Sequence, residues 1–169
     1  MRVYKGDFYY GALLSVLINN GISPYILETS DSRKIFELST NSGKYKIYTK
    51  YVTSPKRGSN GKRLLWNFTF NKKEIEEIKR PLNSEGNLCF AFVCGQKEFE
   101  TGNCEITLLN AEQLKECINI ENPYGDQERL SIRKNKGAHS LSVYGSKKAD
   151  KLNNEDNTIK ISRDWIKTL

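Results

Sequence analysis

Hydrophobic and polar positions divide this chain into short segments whose period changes from helical to alternating and back. From Phe8 to Ile18 the apolar residues recur around a helix. Phe8, Ala12 and Val16 share one row, Leu13 and Leu17 a second, and Tyr10, Leu14 and Ile18 a third. With Asp7 as N-cap and Asn19, Asn20 and Gly21 as the stop, the pattern predicts a helix over 8–18. A helix apolar nearly all round is expected to be a central core helix enclosed by other elements. Gly11 within it suggests close passage of another backbone.

Period two follows. An extended piece over Tyr25–Glu28 leads through Asp31 and Ser32 into a strand over 33–40, a turn at Asn41–Gly43, and a strand over 44–52. In that last strand Tyr45, Ile47, Thr49 and Tyr51 occupy one face, and Lys44, Lys46, Tyr48, Lys50 and Val52 the other. The second face reads either as a solvated surface or as one that tracks a phosphate backbone. A basic loop, Ser54 to Arg63, precedes a third apolar strand over 64–70.

Two later segments share a design. The strand ending at Phe70 runs into Asn71 with Glu74 at the third helical position, and the strand over 106–109 runs into Asn110 with Gln113 at the same place. Both are capping-box signatures, predicting amphipathic helices through Ile78 and Ile118. Between them, 87–94 is apolar on both faces, as in an interior strand. After a loop at Glu121–Asp126, Leu130 and Ile132 alternate outwards to a turn at Arg133–Gly137, and Leu141 and Val143 return as a hairpin. Residues 145–157 read as a polar, mobile loop. The chain ends in a strand over 158–161 and a short helix over 162–166, with Trp165 docking on the body. The sum is a single-domain α/β (α+β mixed) fold: one mixed β-sheet, a buried N-terminal helix and short helices packed on it. The core falls in about 1–120, and 127–169 forms a basic hairpin and C-terminal segment.

Charge changes the picture. The net charge is +7. Residues 1–55 carry 7 basic and 4 acidic side chains, 56–80 carry 8 and 3, 81–126 carry 2 and 8, and 127–169 carry 10 and 5. Two basic segments flank an acidic one, so a fold that joined them would present a positive face suited to a polyanion, most commonly DNA or RNA. The expected contacts are Lys56, Arg57, Lys62 and Arg63 on the loop and Arg133, Lys134 and Lys136 at the hairpin tip, with His139 and Tyr144 nearby.

Catalytic chemistry is hard to find. The single histidine, His139, has no triad signature around it, and Gly58 and Gly61 do not form a phosphate loop. The four cysteines, Cys89, Cys94, Cys104 and Cys117, contain no CxxC pair. They read as buried reduced thiols rather than metal ligands. Without a signal peptide or an apolar run long enough to span a membrane, the expected location is the cytoplasm, and the Asn67-Phe68-Thr69 sequon is expected to be a plain strand residue.

The order of elements, a helix over 8–18, a hairpin over 33–52, then alternating helix and strand through 118, resembles the core of the restriction-endonuclease-like, PD-(D/E)XK nuclease group, and the chain has the general look of a small bacterial or prophage protein. The resemblance implies an acid opening one strand and a Glu/Asp-x-Lys triplet on the next, holding Mg²⁺. Asp31 matches the first acid and Lys50 the lysine, but Tyr48-Thr49-Lys50 puts Tyr48 where the second carboxylate belongs. Mg²⁺ depends on carboxylate oxygens, so the resemblance implies a degenerate, inactive scaffold, with no cofactor. Three functions are thereby expected in order: nucleic-acid binding through phosphates, a protein-interaction module such as a small inhibitor or accessory factor, and an active nuclease taking a carboxylate from Glu28 or Glu37.

Overall fold

The computed structural model describes residues 1–29, 34–58, 61–84, 87–96 and 104–169. The first helix, α1 (Lys5–Asn19), begins at Lys5 rather than Phe8. Asp7 is not the N-cap: its carboxylate reaches back to accept the Tyr4 N–H at 2.9 Å from inside the first turn. The helix buries Tyr9, Tyr10, Leu13 and Leu17, while Phe8 and Ile18 are both 60% exposed. It therefore packs on the sheet along one side only. A Cβ added at Gly11 would meet nothing within 4 Å, so among the described residues no backbone passes there.

Strands β1 (Ser23–Thr29), β2 (Lys34–Thr40) and β3 (Gly43–Val52) form an antiparallel meander. The chain then leaves for β4 (Lys56–Gly58) and β5 (Arg63–Asn71), follows helix α2 (Lys72–Ser84), and returns as β6 (Leu88–Cys94). β6 lies parallel to β3, and β7 (Glu105–Asn110) completes the sheet in the order β1-β2-β3-β6-β7. Helix α3 (Ala111–Cys117) leads to β8 (Gln127–Asn135) and β9 (Ser140–Gly145), then to a small hairpin of β10 (Lys151–Leu152) and β11 (Glu155–Asp156). Strand β12 (Ile159–Ser162) precedes a 3₁₀ turn over Trp165–Thr168. The second sheet is antiparallel throughout, in the order β12-β9-β8-β5-β4. The fold is α+β, with two five-stranded sheets where one was expected, and residues 127–169 supply three strands of the second.

Both capping boxes form. Asn71 Oδ1 accepts the Glu74 N–H at 2.9 Å and Glu74 Oε2 the Asn71 N–H at 3.0 Å. Asn110 and Gln113 repeat the exchange at 2.9 and 3.0 Å. Interior strand β6 feeds two cores. Phe90 and Phe92 point with Tyr48 toward Trp66, Phe68 and Phe70 of β5, closed by Ile75 and Ile78 of α2 and Leu114 of α3. Ala91 and Val93 point the other way, with Phe36 and Ile47, toward α1 and Trp165. Gly95 ends β6 where space is short: a Cβ would sit 2.7 Å from the Val52 carbonyl, while the Gly95 carbonyl accepts the Trp66 indole N–H at 2.7 Å.

Residues 145–157 are not a loose loop. Asn153 and Asn154 take left-handed φ values of 52° and 67°, the turn that fits a two-residue hairpin, and the Asn157 N–H closes its base on the Asp150 carbonyl at 3.0 Å. The cysteines are free; Cys89, Cys94 and Cys117 are buried and Cys104 is half-buried. Burial pushes the Cys89 thiol up to about 11 and Cys117 up to about 12. Among the described residues no helix is long and apolar enough to cross a membrane.

Candidate nucleic-acid interface

The basic stretch after β3 is a hairpin rather than a free loop. Lys56 and Arg57 lie on edge strand β4, opposite Leu65 and Leu64, and the chain turns through Gly61 (φ 78°) into Lys62 and Arg63 at the head of β5. β5 pairs with β8 along its whole length, which sets Arg63 opposite Asn135. Lys136 follows, and its N–H donates to the Lys62 carbonyl at 2.8 Å. Lys62, Arg63, Asn135 and Lys136 line an open cleft of about 410 Å³. Lys56, Arg57, Lys62, Arg63 and Lys136 are all exposed, and none makes an ion pair among the described residues. The register thus brings two sequence-distant basic segments to one end of the second sheet.

Arg133 and Lys134 do not join them at the tip. β8 runs on to Asn135, so both are strand residues. Arg133 is only 7% exposed; its guanidinium donates to Asp150 at 3.0 Å, lies 3.7 Å from Asp156, and stacks over the Tyr144 ring. Lys134 binds the buried Glu105 carboxylate, which Arg163 also grips at 3.0 and 2.7 Å. Both charges are neutralised within the fold. Glu105 and Arg163 line a second cleft of about 440 Å³ with His139, Ser162 and Asp164.

The lysine face of β3 is also reassigned. Tyr48 is buried between the sheets, and Lys50 is 8% exposed rather than solvated. Lys50 Nζ donates to Glu74 at 2.6 Å and to the Thr69 carbonyl at 2.7 Å, beneath the Phe70 ring. Asp31 lies outside the described residues. Glu37 stands opposite Lys46, before Lys50 on β3, and Glu28 lies on β1, opposite Ile35. Among the described residues no group of three or more His, Cys, Asp or Glu side chains could hold a metal ion. Among the described residues the one carboxylate beside Lys50 is that of Glu74, already held in the ion pair.

One exposed cation was overlooked. Leu130 and Ile132 point inward, so Arg129, Ser131 and Arg133 share the outer face, and Arg129 is exposed there. The alternation that located the strand contained this information. Comparison with known proteins gives no match to a family model, a curated protein or a solved structure.

Proposed function

We propose that this is a nucleic-acid-binding protein that acts mainly through phosphate contacts, a binder rather than an enzyme. The observation that carries the reading is the contrast in counter-ions. Arg133, Lys134 and Lys50 each have a carboxylate partner, whereas Lys56, Arg57, Lys62, Arg63 and Lys136 converge on one end of a sheet with no ion pair among the described residues. Converging cations without carboxylates attract a polyanion and release its counterions on contact. The same reading places the protein in the cytoplasm, supported by its free, buried thiols. The nuclease-like scaffold stays part of the proposal, supported by the order α1, β1-β2-β3 meander, α2 and parallel strand β6, with β4 and β5 interposed.

The test is fluorescence anisotropy of labelled DNA and RNA at several salt concentrations, comparing the native chain with one in which Lys56, Arg57, Lys62 and Arg63 are all Ala. Native binding should fall steeply with salt, and the variant should bind roughly tenfold or more weakly with an unchanged melting temperature. Absence of binding to every probe near physiological salt would overturn the reading. A second reading, a protein-interaction module, is favoured by exposed Tyr4, Phe8, Ile18, Tyr25 and Ile26 on α1 and β1 and just before them.

A further inference from the structure

The second sheet has an outer face that no helix covers by cluster packing, since α2 and α3 both belong to the core between the sheets. Its five strands carry one carboxylate, Glu128, which is fully buried and accepts the backbone N–H groups of Asn119 and Tyr124, while Asp150 and Asp156 reach over the face from the β10–β11 hairpin and are held by Arg133 and Lys160. Exposed cations, by contrast, stand at both ends of the β5–β8 pairing: Arg63 opposite Asn135, and Arg129 opposite Thr69. At a rise of about 3.4 Å per residue the two ends are about 20 Å apart. Between them Ser131, which donates to Asn67 at 2.8 Å, and Arg133, held by the β10–β11 hairpin, are buried, so the accessible path runs along β5 over half-buried Leu65 and Asn67 and exposed Thr69.

Aromatic side chains are the second half of the argument. Proteins that hold single strands, and sheets that read RNA, stack bases on exposed rings. No exposed aromatic lies on β4, β5, β8, β9 or β12; Trp66, Phe68 and Phe70 face the core, and half-buried Tyr144 is covered by the Arg133 guanidinium 5.6 Å from its ring centre. The face offers charge and hydrogen bonds without a stacking platform.

We propose that the outer face of the second sheet is a track for a sugar–phosphate backbone, about 20 Å long from Arg63 to Arg129, that binds without contact to the bases. The inference rests on the phosphate-binding reading and adds its extent, a further binding residue and its indifference to base. The test compares a labelled oligonucleotide with an abasic sugar–phosphate strand of the same length, using the native chain and Arg129→Ala. The abasic strand should bind within about threefold of the base-bearing one, because phosphates supply the affinity. Arg129→Ala, an exposed change, should weaken both roughly threefold and reduce the salt slope by about one contact. A loss of tenfold or more on removing the bases would overturn base indifference. An Arg129→Ala chain that binds like the native one would overturn the track while leaving the basic sheet end in place. Failure of both probes to bind would overturn this inference together with the reading beneath it.

Discussion

Lys50 and Arg63 are both cations on β-strands, yet the fold treats them in opposite ways. Lys50 lies between the sheets, its side chain about 10% exposed beside a Glu74 side chain about 9% exposed, and its charge is consumed by that carboxylate. Arg63 sits at a sheet end with Lys62 and Lys136, exposed and, among the described residues, without a carboxylate. The comparison teaches that cation count along a strand says little about what a surface can bind. What matters is whether an acid from another element has been folded against each charge.

The largest effect should come from breaking the consumed pair. Glu74→Ala takes the carboxylate away from the buried Lys50 ammonium, which still donates to the Thr69 carbonyl, and removes the oxygen that completes the α2 cap. A loss of about 3–5 kcal/mol is expected, read from denaturant midpoints. A shift under about 1 kcal/mol would mean that Lys50 reaches water easily and that the contrast is weaker than drawn.

An intermediate effect should follow from turning a spent cation into an available one. Asp150→Ala with Asp156→Ala strips Arg133 of both carboxylates. Stability should fall by about 1–3 kcal/mol, while affinity for a labelled oligonucleotide rises roughly threefold as one more charge becomes available. A drop in affinity would show that the hairpin supports the binding face instead of competing with it.

The smallest effect is a matter of pH. Hydrogen bonds from Lys160, then from Thr158, hold the Asp156 carboxyl well below its ordinary value of 3.8. A lowered folded pKa contributes stability that is present above the unfolded value and disappears as pH falls through the folded one. Melting temperatures at about pH 6 and about pH 2.5 should therefore drop slightly less in Asp156→Asn than in the native chain, the site being largely solvated. An equal drop would remove Asp156 from the acid response.

Local chemistry made much of this fold legible. Asn71 with Glu74 and Asn110 with Gln113 announced two helix starts because a capping box is complete within four consecutive residues. Leu130 and Ile132 announced β8, and with it the direction of Arg129. Long-range pairing was not legible. Lys44, Lys46 and Lys50 look alike in sequence, and only the placement of α2 over β3 distinguishes the third. Glu74 was recognised as a capping residue, but nothing local revealed that its second oxygen would meet a lysine. Arg133 was misread as a tip residue because its acids come from 145–157, a stretch whose polar composition resembles a loop. The second sheet escaped for the same reason: it depends on β5 finding β8 across more than fifty residues.

That last pairing also sets an order of events. Every strand of the first sheet has been made once the chain reaches Asn110, but at that stage β5 has only the short edge strand β4 beside it. Phe68, which ends 4.9 Å from Phe92 between ring centres, and the rest of that aromatic layer have no lid until β8, β9 and β12 arrive. A chain emerging from the ribosome thus passes through an interval with an oily sheet face and an unpaired strand edge, the combination that invites aggregation. Insertion of β8 ends that interval, and the same step brings Lys136 to the Lys62 and Arg63 that the β4–β5 hairpin already carries.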